Sequence, residues 1–416
     1  MLNLIGLILS FTVIILLLRK EINFGASLLI GSIIVAVFSL AETDAYVIGK
    51  AVLKSLIYSV DEGRFELTTL KLALVMLLIV LLARSMKETG SLEKLIDSLR
   101  RIFSSKTLIA LIPAVIGLLH VPGGALFSAP MIDEEGEKLR LSREDRAIFN
   151  VWFRHIWFLI YPMSTSIILI CSKDFANINL YNLILIQFPT FFVMIVIGFF
   201  MMRKVKNLES EKRADGCGLI HITPIVIPVV LSLSLSTFLN FESVSSLLLA
   251  LPFGIFSVFA IEKRETKEII KILKRGLSWR LPFAIVGIMI FRGVVTSSGV
   301  ISSIQTLTNN AFVPPLLLIV LIPFVLAFFM GYNLGAIALS YPIVEPLFHS
   351  VGSNIVPIVS ILYVSSFVGY LISPLHLCMV VTNEYFKPDI TKFYKAVAPS
   401  SVSLIVIHLL LMLMLI

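Results

Sequence analysis

Apolar runs long enough to cross a bilayer recur along this chain, and the polar residues gather between them. A spanning helix needs about 20 predominantly apolar residues. Such runs occupy 2–18, 24–40, 67–83, 150–170 and 180–202 in the first half, and 221–239, 244–261, 281–298, 354–372 and 397–416 in the second. Two further apolar stretches, 107–132 and 311–346, are interrupted by Pro and Gly, which a straight spanning helix avoids. The pattern predicts an all-α polytopic membrane protein with about ten transmembrane helices plus two re-entrant hairpins. In the first run the charges Arg19 and Lys20 follow the apolar residues, so it reads as a transmembrane helix and not as a signal peptide. The charged stretch 133–149 is expected to form an amphipathic surface helix. The stretch 264–278, with Ile269, Ile270, Ile272, Leu273 and Leu277, is expected to lie along the membrane interface.

The two interrupted stretches resemble each other. Residues 111–133 read LIPAVIGLLHVPGGALFSAPMID, and 321–345 read LIPFVLAFFMGYNLGAIALSYPIVE. Leu111-Ile112-Pro113 matches Leu321-Ile322-Pro323 at an offset of 210, and Gly124-Ala125 matches Gly335-Ala336 at 211. Ser128, Pro130 and Asp133 match Ser340, Pro342 and Glu345 at 212, an offset that also pairs Pro162 with Pro374. An ordered series of this kind predicts an internal duplication. Residues 1–202 form the first repeat, 203–219 a cytoplasmic linker and 220–416 the second repeat. Each repeat holds five spans, an odd number, so the second enters the membrane with inverted topology.

Charge supports the same map. With the Arg19–Lys20 turn in the cytoplasm, the loops at 84–106, 133–154, 203–219, 262–280 and 384–396 are cytoplasmic too. This side then carries 28 of the 34 Lys and Arg, against five on the other: Lys50, Lys54, Arg64, Lys71 and Lys173. The N-terminus is therefore expected outside the cytoplasm, in the inner membrane of a prokaryotic cell. The bias survives only if 107–132 and 311–346 each return to the side they entered from. Composition agrees: 58% of residues are hydrophobic and 14% charged, where a soluble domain carries about a quarter charged. The net charge of +8 reports topology and not nucleic-acid binding. Cys171, Cys217 and Cys378 are far apart and show no zinc-ligand spacing, so no metal and no cofactor is expected.

Re-entrant tips near the midplane offer unpaired backbone groups to a solute. The tips are placed at 120–124 and 331–335. Gly123, Gly124 and Gly335 would admit a ligand close to the backbone. Ser128, Asn333 and Ser340 add neutral polar groups that either touch solute or pack locally. The spans beyond the hairpins are broken at Pro162 and Pro374. Beside those breaks stand Ser164, Thr165, Ser166, Ser373 and His376, with Thr382 and Asn383 further along. Serine and threonine in membrane helices also bond back to the preceding turn. His120 and His376 either carry a coupling proton or stay neutral and hydrogen-bonded. Arg292 and Arg154 are candidates to meet a carboxylate, with snorkelling to the cytoplasm the default for Arg154. Asp133 and Glu345, at matching hairpin exits, are read as groups that cap, gate or pair with basic residues.

At these residues the chain resembles the ion transporter superfamily, which includes gluconate permeases, citrate and dicarboxylate carriers, and arsenite/antimonite transporters. The stretch HVPGGALFSAPMID looks especially like an uncharacterised prokaryotic family of integral membrane proteins, the DUF401 type. The resemblance implies a homodimer with scaffold helices at the interface and a mobile elevator domain. That domain would comprise 107–132 with 150–170, and 311–346 with 354–383. The expected activity is secondary active transport of a small anion, an organic acid, coupled to H+ or Na+. The Ser-Asn-Thr tips of the dicarboxylate carriers are absent here. An intramembrane enzyme, the alternative raised by His120, His155 and several serines, lacks paired aspartates, a GxSG nucleophile and an HExxH motif. No P-loop is present for an ATP-driven pump, so no enzyme activity is expected. A channel shares much of this anatomy; saturable, gradient-dependent flux distinguishes a carrier.

Overall fold

A computed structural model describes residues 2–119, 124–205, 216–311 and 313–416. The chain begins with α1 (Leu2–Arg19), α2 (Phe24–Ser39), the largely exposed α3 (Ala45–Leu56) and a small antiparallel hairpin, β1 (Tyr58–Ser59) with β2 (Arg64–Phe65). Next come α4 (Thr68–Glu88), α5 (Ser91–Ile102), a helical hairpin of α6 (Ser105–Leu118) and α7 (Ala125–Lys138), then α8 (Arg143–Arg154), α9 (Thr165–Cys171) and α10 (Leu180–Met201). Beyond 206–215 lie α11 (Thr223–Phe238), α12 (Ser243–Glu262), α13 (Thr266–Gly276), α14 (Arg280–Ser297) and α15 (Val300–Ala311). A second helical hairpin, α16 (Pro315–Met330) with α17 (Asn333–Val344), precedes α18 (Ile355–Leu371), α19 (Leu377–Phe386) and α20 (Ile390–Leu413).

Among the described residues, seven helical segments are long and apolar enough to cross a membrane: Leu2–Arg19, Thr68–Glu88, Leu180–Lys204, Gly218–Phe238, Ser243–Glu262, Thr266–Ser297 and Ile390–Leu413. Phe24–Ser39, Ser105–Leu118, Pro315–Met330 and Ile355–Leu371 are apolar but shorter. Three of the ten expected spans therefore fall short as continuous helices. The run 24–40 yields only the 16 residues of α2. The run 150–170 is split between α8 and α9, and α18 stops ahead of Pro374, because proline removes a donor and clashes with the preceding turn. The stretch 133–149 is not a separate surface helix. It is divided between α7 and α8 by Arg140, which takes a left-handed φ of +53°, and by Ser142, which caps α8 by accepting from the Asp145 amide. The stretch 264–278 does form a helix, α13, with Ile270 and Leu277 exposed.

Large apolar side chains face outward on the long helices, while small and polar ones join the apolar residues of the packed faces. On α10, Gln187, Thr190 and Gly198 are buried while Leu185, Phe192, Val196 and Phe199 are exposed. On α20, Ser401 and His408 are buried while Val402, Val406 and Leu410 are exposed. Such a pattern fits helices solvated by lipid, where large apolar side chains face outward and small or polar ones hold helices together. His408 shows the polar glue directly: Nδ1 lies 2.7 Å from Thr190 Oγ1 and Nε2 3.1 Å from Ser360 Oγ, tying α20 to α10 and α18. These long apolar helices and outward-facing apolar surfaces are those of a multi-pass membrane protein.

Packing divides into two regions. In the first, α1 packs on α2, α2 on α14, α14 on α4, α4 on α12, and α12 on α11. In the second, α6 packs on α7 and α8, α16 on α17 and α18, α18 on α20, and α19 on α7 and α8. All of α17 is buried, as is α18 from Pro357 to Leu371. The α2–α14 seam depends on glycine at the crossing: a Cβ on Gly287 would lie 2.7 Å from the Gly25 carbonyl oxygen. Gly287→Leu is therefore expected to lower stability by about 1–3 kcal/mol through overpacking. Gly49→Leu, with open space around it, leaves stability unchanged. Thermal unfolding of the detergent-solubilised protein measures both, and equal Tm values for the two variants would refute the seam.

Candidate functional site

Two interrupted helices and two hairpins meet inside the second region. After α8, a 3-10 turn (Ile156–Leu159) leads into residues 160–164, which are not helical and contain Pro162. After α18, residues 372–376 are likewise not helical and contain Pro374. Interrupted backbone away from water must find partners inside the protein. The Tyr363 hydroxyl donates to the Phe158 carbonyl at 2.5 Å. The Ser373 hydroxyl donates to the Phe328 carbonyl at 2.5 Å and accepts from the Leu375 amide at 3.2 Å. The break after α18 is thereby fastened to the hairpin arm α16.

The hairpin tips sit on these breaks. Gly331 closes α16 in the left-handed region (φ +61°), and a Cβ there would collide with the Leu375 carbonyl group. At the other tip, a Cβ on Gly124 would overlap the Arg154 guanidinium. Arg154, the last residue of α8, is only 3% exposed. The sequence expectation that it snorkels to the cytoplasm is wrong, because α8 ends inside the protein and its side chain folds onto the first hairpin.

Three polar groupings surround these tips. The Ser128 hydroxyl donates to Asn150 Oδ1 at 2.5 Å, and Asn150 Nδ2 donates to Thr382 Oγ1 at 2.9 Å, joining α7, α8 and α19. Asn333, at the start of α17, accepts from the Ser366 hydroxyl at 2.7 Å. The side chains of Asn333 and Ser164 flank the Tyr363 hydroxyl. Third, the His376 ring packs against those of Tyr370 and His155, with centroids 3.9 Å and 4.6 Å away. Ser164 Oγ, Asn333 Nδ2, Ser340 Oγ and both ring nitrogens of His376 are buried with no hydrogen-bond partner among the described residues. Buried polar atoms left this way are costly, and their gathering at the tips and breaks makes this the candidate site.

Several predicted residues thus converge, and others do not. Gly124, Ser128, Ser164, Asn333, Ser373 and His376 lie at the breaks and tips. Ser166 and Ser340 are buried on α9 and α17, and Thr165 is half-buried. Gly335 does not open toward a ligand, since the space beside it is filled by Phe24 and Met330. His120 and Gly123 lie outside the described residues. Asp133 and Glu345 each pair with arginine: Asp133 with Arg146 at 2.5 Å, and Glu345 with Arg292 at 3.7 Å while also accepting from the Tyr341 hydroxyl at 3.2 Å. Asn150, Tyr363, Ser366, Tyr370 and Cys378 were missed as site residues. Asn150 and Arg154 carried a usable signal, being polar residues four apart in the apolar second half of α8. A groove of about 590 Å³ between α4, α12 and α13 is lined by Leu78, Pro252, Phe256 and Arg264 among others, and contains none of the residues at the breaks.

A family model spans residues 3–416. The chain belongs to the DUF401 family, proteins of unknown function. No curated protein matches it. In this DUF401 chain, Asn150 is the bridge that joins the first half to the second at α19. Asn150→Ala leaves Ser128 and Thr382 without their partner and is expected to cost about 1–3 kcal/mol of stability. The check is the fall in Tm relative to Ser302→Ala, which removes an exposed hydroxyl bonded to the Gly299 carbonyl just ahead of α15. A fall no larger than that control would show the bridge to be weak.

Proposed function

We propose that the protein is a secondary active transporter of a small anion, an organic acid bearing a carboxylate, working by alternating access. The observation that carries this reading is the burial of the Arg154 guanidinium beside Gly124, at the meeting of a hairpin tip and two interrupted helices. An arginine kept from water at such a place is matched to a carboxylate, which it meets through two parallel hydrogen bonds. Charge neutralisation there lowers the desolvation cost of carrying the anion across. In the cycle, the coupling ion, H+ or Na+, and the anion occupy the centre between the hairpins. The loaded core of α6–α9 and α16–α19 then moves against the scaffold of α1, α2, α4, α11, α12 and α14.

The proposed architecture is a pair of inverted-topology repeats. Supporting it, α1–α10 and α11–α20 follow one order: a helix pair, a short exposed helix, a long helix, an intermediate helix, a hairpin, an interrupted pair and a final helix. Contacts between the halves come in exchanged pairs. The α2–α14 contact is matched by α12–α4, α19–α7 by α9–α17, and α20–α8 by α10–α18. Charge supports inversion, because ion pairs join loops assigned to one side. Lys173 pairs with Glu66, and Lys71 with Glu242, on the side with few basic residues. Lys94 pairs with Glu262, and Arg100 with Glu134, on the basic side. The halves are not in equivalent states. The second hairpin's α17 is wholly buried and packs on α14, whereas Leu126 and Phe127 of the first hairpin are exposed. That asymmetry is what alternating access requires of two similar halves. The charge bias supports an N-terminus outside the cytoplasm, and the resemblance noted in the sequence would imply a homodimer.

Counterflow uptake in proteoliposomes, with a panel of labelled carboxylates and imposed proton or sodium gradients, tests the reading. Saturable exchange of one acid is expected, and the effective gradient names the coupling ion. Arg154→Gln is expected to weaken the apparent affinity at least about thirtyfold, the effect of roughly 2 kcal/mol for a lost buried charge contact. Gly124→Val, which displaces the guanidinium, acts in the same direction. Rapid, non-saturating ion flux in place of exchange would overturn the carrier assignment.

A further inference from the structure

The geometry points to a buried metal site formed by His155, His376 and Cys378, which takes one zinc-class ion. One ligand atom from each residue lies within 4.8 Å of the other two, and all three side chains are buried. A tetrahedral zinc ion with bonds of about 2.0–2.3 Å spaces its donors roughly 3.3–3.8 Å apart, so closing the site takes about 1 Å of movement. A small turn of the His376 ring, which stacks on Tyr370 and faces His155, supplies that.

His155 is already oriented as a metal ligand. Its Nδ1 lies 2.6 Å from the Val151 carbonyl oxygen. A carbonyl only accepts, so Nδ1 carries the proton and Nε2 presents its lone pair. A backbone carbonyl that fixes the tautomer in this way is the usual outer support of a metal-bound histidine. The Tyr370 hydroxyl lies 3.5 Å from Nε2, farther than a metal–nitrogen bond of about 2.0–2.1 Å. His376 caps α19 and Cys378 lies two residues further on, so the interrupted helix brings both to the end of α8. Two imidazoles and a thiol are the donor set of a borderline-soft ion and not of Mg2+ or Ca2+. Binding replaces the thiol proton with a metal–sulfur bond and releases that proton, which leaves one net positive charge at the site. With three protein ligands, a fourth position remains for water or an oxyanion. The ion would join α8, from the first half, to the break between α18 and α19, from the second. This site rests on ligand geometry and stands whether or not the protein is a carrier.

The full-length protein, expressed with supplementary zinc and purified in detergent, is the material for the test. X-ray absorption at the zinc edge is expected to show one sulfur at about 2.3 Å with nitrogen or oxygen at about 2.0–2.1 Å, at one zinc per chain. After chelation, Co2+ is expected to restore one ion per chain with a thiolate-to-cobalt charge-transfer band. That band is lost in Cys378→Ser, retained in Cys171→Ser, and needs at least tenfold more Co2+ in His376→Gln. A zinc shell without sulfur, or a band that survives Cys378→Ser, overturns the assignment. The absorption measurement uses the unaltered chain, so it decides even where a variant fails to fold.

Discussion

Every feature of the inner region follows from one constraint: backbone that leaves a helix away from water must be given hydrogen-bond partners by the protein itself. Pro162 breaks its helix in the protein interior, and Pro374 breaks its own at a loop whose neighbours Ser373 and His376 are buried. The partners are side chains from neighbouring elements, Tyr363 on the Phe158 carbonyl and Ser373 on the Phe328 carbonyl. Each of these bonds links two elements, so satisfying the breaks also fixes how the hairpins and interrupted helices sit together.

The same constraint separates the two regions of the molecule. The long helices satisfy their own backbone and need only small or weakly polar contacts, such as the glycine crossing of α2 and α14, to associate. Their large apolar side chains are left to face lipid. The interrupted helices use up their neighbours' polar side chains and bring groups that lipid does not tolerate, Arg154, His155 and His376, into one interior. Burial of a guanidinium and two imidazoles there costs free energy that fold stability alone does not call for. That cost makes the interior the place to look for function.

Much of this was readable along the chain because it rests on local composition. Apolar runs of membrane-spanning length announce helices whatever they pack against. Proline inside such a run announces a break, and the breaks are found beside both Pro162 and Pro374. Glycine-bearing interruptions in 107–132 and 311–346 became helical hairpins for the same reason. Boundaries were less legible. The division of 133–149 depends on one left-handed residue, Arg140, and on a cap at Ser142, and composition there is charged on both sides of the turn.

What the sequence by itself determined is the set of helices, the position of their breaks and the outward-facing apolar surface, since each depends on residues close together in the chain and on the solvent around them. Only the tertiary structure decided which polar side chains meet. Arg154 is buried and not snorkelled because α8 ends beneath the first hairpin. Cys378 joins two histidines because the break after α18 turns α19 toward the end of α8. Gly335 is closed off because Phe24 of a distant helix fills its space. Those outcomes depend on contacts between residues far apart in the chain, and no local pattern encodes them.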